Sequence, residues 1–346
     1  MAGNAEHGGA APSPDEFEKV AQRAVEAAVW APSVHNTQPW RFGVGDRRIT
    51  LKADADRRLE VADPDGREML VSCGAALHNL CLAVRAAGYA AEVHMLPDPE
   101  RPHLLADVDI GGPLPEEEDV RRMYAQIERR RTHRGGFRST PVTAPVLSAL
   151  RYEAEAEGVR LFQAVEMHTK GALAALTQAA DHTQRRSPEY MGETARWAPS
   201  PKSVRQDGVH QAAYPHDPPR TEPHFPTRDF ARGQGWGVRH APEPTGQTLL
   251  TGAVLLLTTA EDGPRDRLRA GRALQRVLLR AGAEQGLSAA FHTQALEVPE
   301  LREFIRTRFC AGAYPQMLLR LGEADEADYP TVRRPAESVT MKETGS

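Results

Sequence analysis

Apolar residues recur at helical spacing from Phe17 through Val20 and Ala24 to Ala28, and the run stops before Pro32, so a helix is expected over 14–30. Ser13-Pro14-Asp15-Glu16 supplies its start: a cap, a proline at the first helical position and a glutamate able to close a capping box. The period then switches to two. Trp40 to Val44 and Arg48 to Ala53 flank Gly45-Asp46 and read as a hairpin. Leu70, Leu77, Leu80 and Val84 return to helical spacing over 66–87, with Gly88 as the stop. Strands follow near 90–96 and 103–109. Pro115 then opens a helix whose run Glu116 to Asp119 suits the positive end of the helix dipole better than it suits a metal.

Past Arg129-Arg130-Arg131-Thr132-His133-Arg134, the pattern gives helices over 144–157 and 167–184 with a strand at 159–165 between them. From Arg185 to Gln247 proline, glycine, histidine and arginine dominate and no apolar periodicity survives. So long a structureless stretch reads as a lid or a disordered insertion. Periodicity resumes with a strand at 250–259, a helix at 264–284, strands at 287–291 and 315–321 around a short helix at 298–308, and a basic tail. The small, polar residues 1–12 are expected to be disordered.

The helix from Gly74 to Gly88 can be laid beside that from Gly271 to Gly286, with Gly, Ala, Leu and Leu at equivalent places. Amphipathic helices converge easily, so this match alone does not separate an internal repeat from chance. Trp30-Ala31-Pro32-Ser33 recurs as Trp197-Ala198-Pro199-Ser200, but at a different offset and with no Asn-x-Gln-Pro-Trp after it, and is read as coincidence.

Composition narrows the function. A chain of 346 residues makes two domains or one two-lobed body. A net charge of -4 argues against nucleic-acid and membrane-surface partners. Gly252 to Leu257 is too short to span a bilayer and the N-terminus lacks an apolar signal core, so a cytoplasmic location is expected. Cys73, Cys81 and Cys310 have no CxxC spacing, and the histidines past residue 167 lack the helical pairing of metal ligands, so no metal is expected. Gly233-Gln234-Gly235-Trp236-Gly237 lacks the flanking strand and helix of a dinucleotide fingerprint.

Two stretches carry candidate chemistry. Residues 31–42 place Ser33, His35, Asn36 and Gln38 between two prolines, which makes either a surface turn or a loop presenting polar groups to a ligand. The run from Arg129 to Arg134 is a solvated basic loop, a short nucleic-acid patch or an anion site. The first stretch resembles the A-P-S-x-x-N-x-Q-P-W-R-F signature of the flavin-dependent nitroreductase family. The whole chain resembles the Acg-like subgroup, in which two nitroreductase-like halves are fused.

That resemblance implies an α+β pseudo-dimer: a monomer with internal pseudo-twofold symmetry, halves at 13–128 and 129–346, and a lid drawn from 186–247. It also implies one FMN between the halves. Arg130, Arg131, Thr132 and Arg134, with Phe137 beyond, resemble the family's R-R-S-x-R-x-F motif with one residue inserted. Arg130 would then bind phosphate, and Arg134 would sit at the pyrimidine edge and stabilise the reduced flavin as the catalytic cation. Pro330-Thr331-Val332-Arg333-Arg334-Pro335 resembles the closing basic motif, giving Arg333 and Arg334 to the same phosphate. Pro32, Ser33, Val34 and Asn36 would pack on the ribityl chain and ring edge, and Gln294, Ala295 and Leu296 occupy the place of the loop whose N–H meets N5. The implied activity is hydride transfer from NAD(P)H through FMN to a nitro, quinone or related small acceptor. The alternative is an FMN storage or sequestration protein whose lid excludes the donor.

Overall fold

Ser13 closes the predicted capping box: its hydroxyl accepts from the Glu16 N–H at 3.4 Å while the Glu16 carboxylate accepts from the Ser13 N–H at 2.9 Å, starting α1 (Pro14–Ala28). The computed structural model describes residues 12–213, 221–228, 230, 250–324 and 330–342. The expectation of disorder over 1–12 therefore falls, Pro12 apart, outside the described residues, as do Gly233 to Gly237 and much of the expected lid.

The first half continues with β1 (Trp40–Gly45), β2 (Arg48–Ala53), α2 (Arg67–Ala86), β3 (Tyr89–Met95), β4 (Leu104–Pro113) and α3 (Glu118–Tyr124). Pro115 lies before α3, whose cap is Glu117, so the acidic run opens this helix without the proline at its first position. The second half carries α4 (Ala144–Glu155), β5 (Arg160–Ala164), α5 (Met167–Arg185), α6 (Pro188–Arg196), β6 (Ala253–Thr259), α7 (Pro264–Gln285), β7 (Ser288–Phe291), α8 (Gln294–Glu297), α9 (Pro299–Phe309) and β8 (Tyr314–Gly322). The tail forms α10 (Ala336–Val339) and β9 (Thr340–Lys342).

The sheets run β3-β4-β2-β1-β9 and β5-β6-β8-β7. Read from its other edge, the second is β7-β8-β6-β5, so each half places its strands in the same order, antiparallel throughout, with one long helix between its second and third strands. The mixed helix and sheet content is α+β. The tail departs from a clean division at residue 129, because β9 pairs parallel with β1, matching Phe42 to Thr340, and so belongs to the first sheet.

The two long helices form the seam. α2 is apolar around most of its girth and long enough to cross a bilayer by composition, but that surface is buried between α1 and α7. Gly74 and Gly271 let the backbones touch: a Cβ on Gly74 would lie 2.1 Å from the Leu268 carbonyl oxygen. One turn on, Gln275 Nε2 donates to Asn79 Oδ1 at 2.7 Å across the seam. Cys73, Cys81 and Cys310 are buried and free.

The stretch expected to lack structure contains α6. Ser187-Pro188-Glu189 repeats the cap, first-position proline and acidic first turn that started α1, and the Ser187 hydroxyl accepts from the Tyr190 N–H at 3.2 Å. Tyr190 and Trp197 pack with Leu59 and Ala62 from the first half. Tyr190 and Trp197 stand among mostly polar residues, so no apolar period marks the helix in the sequence.

Candidate active site

The loop between α1 and β1 is held in a shape its residues resist. His35, Asn36 and Gln38 have φ of 48, 54 and 51°, in the left-handed region that costs a non-glycine residue about 1–3 kcal/mol. Crossing hydrogen bonds over-determine it. The Ser33 hydroxyl accepts from the Gln38 N–H at 3.0 Å, Ser72 Oγ accepts from the Val34 N–H at 3.3 Å, and Arg57 Nη1 donates to the Thr37 carbonyl at 2.8 Å. Asn36 exchanges two bonds with Gly208: its Nδ2 donates to the Gly208 carbonyl at 2.9 Å, and its own carbonyl accepts from the Gly208 N–H at 3.2 Å. Gly208 needs its φ of 76° there, and a Cβ would strike Pro199 and the Trp197 carbonyl. The repeat around Trp197 thus sits against the loop it resembles.

Four arginines converge on that loop. The segment 129–134 docks on the edge of β7, where the His133 N–H donates to the Ala289 carbonyl at 2.7 Å. From there Arg130 Nη2 reaches the Trp30 carbonyl at 3.3 Å. Arg333 comes from the tail, donating from Nη2 to the Trp30 and Ala31 carbonyls at 3.3 Å and from Nη1 to Asn36 Oδ1 at 3.0 Å. The guanidiniums of Arg131 and Arg333 lie 4.9 and 5.6 Å from the Trp30 ring centre. Arg130 and Arg333 are half-buried, yet Arg130 Nε and Nη1 and Arg333 Nε are sealed from water with no partner among the described residues. Burial, then Arg131 and Arg134, push Arg130 down to about 9; burial, then Arg130, Arg131 and Arg134, hold Arg333 well below its ordinary value. No described carboxylate offsets this charge in either guanidinium's surroundings. Sealed cations that repel one another ask for an anion.

Beside the cluster opens a cleft of about 1010 Å³, its mouth included. Pro32 to Asn36 form one wall, Thr132 to Arg134 and Ala290 to Thr293 the other, with Arg333 on the rim. Glu68, Arg228, His35 and Phe230 also line it. His35 is 5% exposed, stacks edge-on against Phe230 at 5.1 Å, and is driven to about 3 by burial and then by Arg228, so its ring is neutral. Neither ring nitrogen has a partner among the described residues.

His292, on the opposite wall, is neutral with an assigned tautomer. Arg320 Nε donates to its Nε2 at 2.8 Å, so the proton resides on Nδ1, which reaches the Pro226 carbonyl at 3.2 Å. Burial lowers Arg320 to about 10, and its guanidinium lies between the Phe137 and Phe225 rings.

No protein-family model matches the chain. The provisionally named NAD(P)H nitroreductase Rv3131 of Mycobacterium tuberculosis is 37% identical over 316 residues, covering 90% of this chain and 88% of its own. The chain belongs to the nitroreductase family. A second relative from the same organism, the provisionally named NAD(P)H nitroreductase acg, is 31% identical over 323 residues, covering 92% of this chain and 95% of its own, so the likeness is to the Acg-like members. A solved nitroreductase with bound FMN from Bacteroides fragilis aligns with 63% of this chain and 95% of its own at 12% identity and a TM-score of 0.36.

In this member of the family the residues singled out from sequence divide into three groups. Pro32, Ser33, Val34, Asn36, Thr132, Arg134 and Arg333 line the cleft, while Arg130 and Arg131 stand behind it at Trp30. Arg134 Nη1 donates to the Ala213 carbonyl at 2.7 Å, tying the cleft to the insertion. Arg334 turns away: its N–H donates to Gln38 Oε1 at 2.8 Å and its side chain lies toward Asp54 and Ser338, because residues 333 and 334 point to opposite sides of an extended segment. Gln294, Ala295 and Leu296 do not line the cleft either. They form the one-turn helix α8, which buries Ala295 and Leu296 in a core with Leu173 and Leu318, and Ala290 to Thr293 take their place on the wall. His35, one of the polar residues of the signature loop, lines the cleft as well, without a cofactor role implied for it by the resemblance, and Glu68, Arg228 and His292 join it with nothing in residue spacing to mark them.

Proposed function

We propose that the chain is an FMN-dependent oxidoreductase that passes electrons from NAD(P)H to a nitro, quinone or related small acceptor. The observation that carries the reading is a pair of mutually repelling cations, Arg333 lining a cleft walled by the Pro32–Asn36 loop and Arg130 behind it at Trp30, each with N–H groups that have no partner among the described residues. A dianionic phosphate near them would neutralise their mutual repulsion, and Val71, Leu274 and Met317 give the same cleft an apolar surface suited to a flat ring. Arg130 and Arg333 would hold the phosphate, Ser33 and Asn36 would border the polar chain of the cofactor, and Arg134 would offer positive charge near the ring. Bound there, FMN supplies two-electron transfer between nicotinamide and acceptor. Membership of a family whose curated members carry NAD(P)H nitroreductase names supports this class of chemistry.

The equal strand order of the two sheets supports an internal pseudo-dimer, with one chain providing both walls of one site. A storage protein is the second reading, favoured by the hydrogen bonds that tie Gly208 and Ala213 of the insertion to Asn36 and Arg134 of the cleft wall. Anaerobic mixing of flavin-loaded protein with NADH or NADPH separates the two. Rapid bleaching of the flavin and its return on adding a nitroaromatic support the oxidoreductase. Flavin that stays oxidised under excess donor favours storage, and a protein that takes up no FMN ends both.

A further inference from the structure

Between the cleft and the helix α8 lies a buried cluster of five ionisable groups. Arg67 Nη2 donates to Glu68 Oε1 at 2.8 Å. Arg228 pairs with Glu297, whose side chain is 1% exposed and also accepts from Thr293 Oγ1 at 3.0 Å. Asp63 accepts the Glu68 and Met69 N–H groups at 3.0 and 2.8 Å at the start of α2. Two guanidiniums thus face three carboxyls, and burial without a further cation favours one carboxyl keeping its proton. Asp63 has two helix N–H donors to hold its charge, and Glu297 has Arg228 and a hydroxyl. Glu68 has one donor, and it is the carboxyl of the three that lines the cleft.

We propose that Glu68 is the proton donor to an oxidant reduced in this cleft, its carboxyl facing the oxygen of a quinone or nitro group. The inference rests on the functional reading above and deepens it. Burial, then Glu297, lift Glu68 to about 8 against the pull of Arg67 and Arg228, which agrees with the charge count. His35, whose two ring nitrogens have no partner among the described residues, lines the same cleft as a second polar group the fold leaves unsatisfied. The balance closes for a quinone. Reduced nicotinamide is oxidised and gives the hydride equivalent, the Glu68 O–H bond breaks as a new O–H bond forms on the acceptor, and water returns a proton to the carboxylate. The product is the hydroquinone.

The test is Glu68→Gln in the full chain, since glutamine keeps an acceptor for Arg67 and the size of the protonated acid. In flavin-free protein, infrared difference spectra taken across the range from about pH 6 to about pH 9 should show a carboxylic-acid band that titrates in the wild type and is absent from the variant. In stopped flow, the variant should slow reoxidation by menadione at least about tenfold more than it slows reduction by NADH. It should also lose the wild-type fall in reoxidation above about pH 8. A missing infrared band, a band that persists in the variant, or equal effects on the two half-reactions overturns the donor role. A wild-type protein that binds no FMN overturns the functional reading and the donor role together, while the infrared band still reports whether Glu68 is protonated.

Discussion

Gly74 and Gly271 meet reciprocally: a Cβ on Gly74 would press on the Leu268 carbonyl at 2.1 Å, and one on Gly271 would press on the Val71 carbonyl at 2.0 Å. Each carbonyl belongs to the residue three positions before the other glycine, so the contact is reciprocal. Backbone cannot yield as a flexible side chain can. Gly74→Val or Gly271→Val should therefore cost at least about 1–3 kcal/mol and lower the melting temperature by several degrees, and should reduce flavin retention with it. Gly192→Ala, in α6 where an added Cβ meets nothing within 4 Å, should leave the melting temperature equal or slightly higher. Matching losses in both would remove the seam from the explanation.

The paired cations behind Trp30 make opposite demands on free and loaded protein. Arg333→Met removes a repelled charge, so the flavin-free protein should melt no lower than the wild type. The same change should weaken FMN binding by about tenfold or more, through a lost charge-assisted contact of about 1.5–3 kcal/mol. Thermal melts with and without FMN, beside a fluorescence titration, read both effects. Undiminished affinity would place the phosphate elsewhere.

Stability should fall on both sides of a maximum slightly below neutrality. Glu68 is raised to about 8, so between about 4.5 and 8 the folded state holds a proton that the unfolded chain releases, and stability declines as pH climbs through that window. The slope is up to about 1.4 kcal/mol per pH unit, and Asp63, raised chiefly by burial, acts in the same sense. His35, at about 3, and His78 and His292, both lowered by burial, act on the acid side: the unfolded chain takes up protons below about 6.5 that the folded state refuses, so stability is lost as pH falls. Denaturation midpoints of flavin-free protein across this range should show both limbs, and Glu68→Gln should flatten the alkaline one.

Arg228→Ala should be among the most damaging changes to the cleft wall. It leaves the Glu297 carboxylate buried without its cation, at a cost of about 3–5 kcal/mol. Adding Glu297→Gln should restore more than half of the loss. A double-mutant cycle in urea measures the coupling, and additive losses would show that the pair contributes little to holding residues 221–228 in place.

Much of this fold can be read from residue order because its elements carry local signals. The Ser13 capping box, the Gly88 and Gly286 stops and the two-residue period of β1 and β2 all fell within a few residues of their observed bounds. The signature loop and the basic run were legible as candidate chemistry because polar residues cluster there in short stretches. What escaped depends on distance in space. Arg334 differs from Arg333 only in which side of the tail it faces, and Gln294 to Leu296 left the cleft because one helical turn rotated them into the core. Glu68 reads as an ordinary first-turn acid on α2, and its chemistry comes from Arg228 and Glu297, which lie over 150 positions away in the chain. α6 carried a signal as plain as that of α1, masked by the composition around it.

The parallel pairing of β9 with β1 has a consequence for biogenesis. Arg130 leaves the ribosome well before Arg333, so a nascent chain would expose half of the proposed anion clamp for most of its synthesis and could close it only once the tail has returned to the first sheet. With Arg130 and Arg333 as the proposed phosphate site, cofactor capture would wait until translation is nearly complete, and any chain cut short of Thr340 would forfeit its last strand and, if cut earlier than Arg333, half of that site as well.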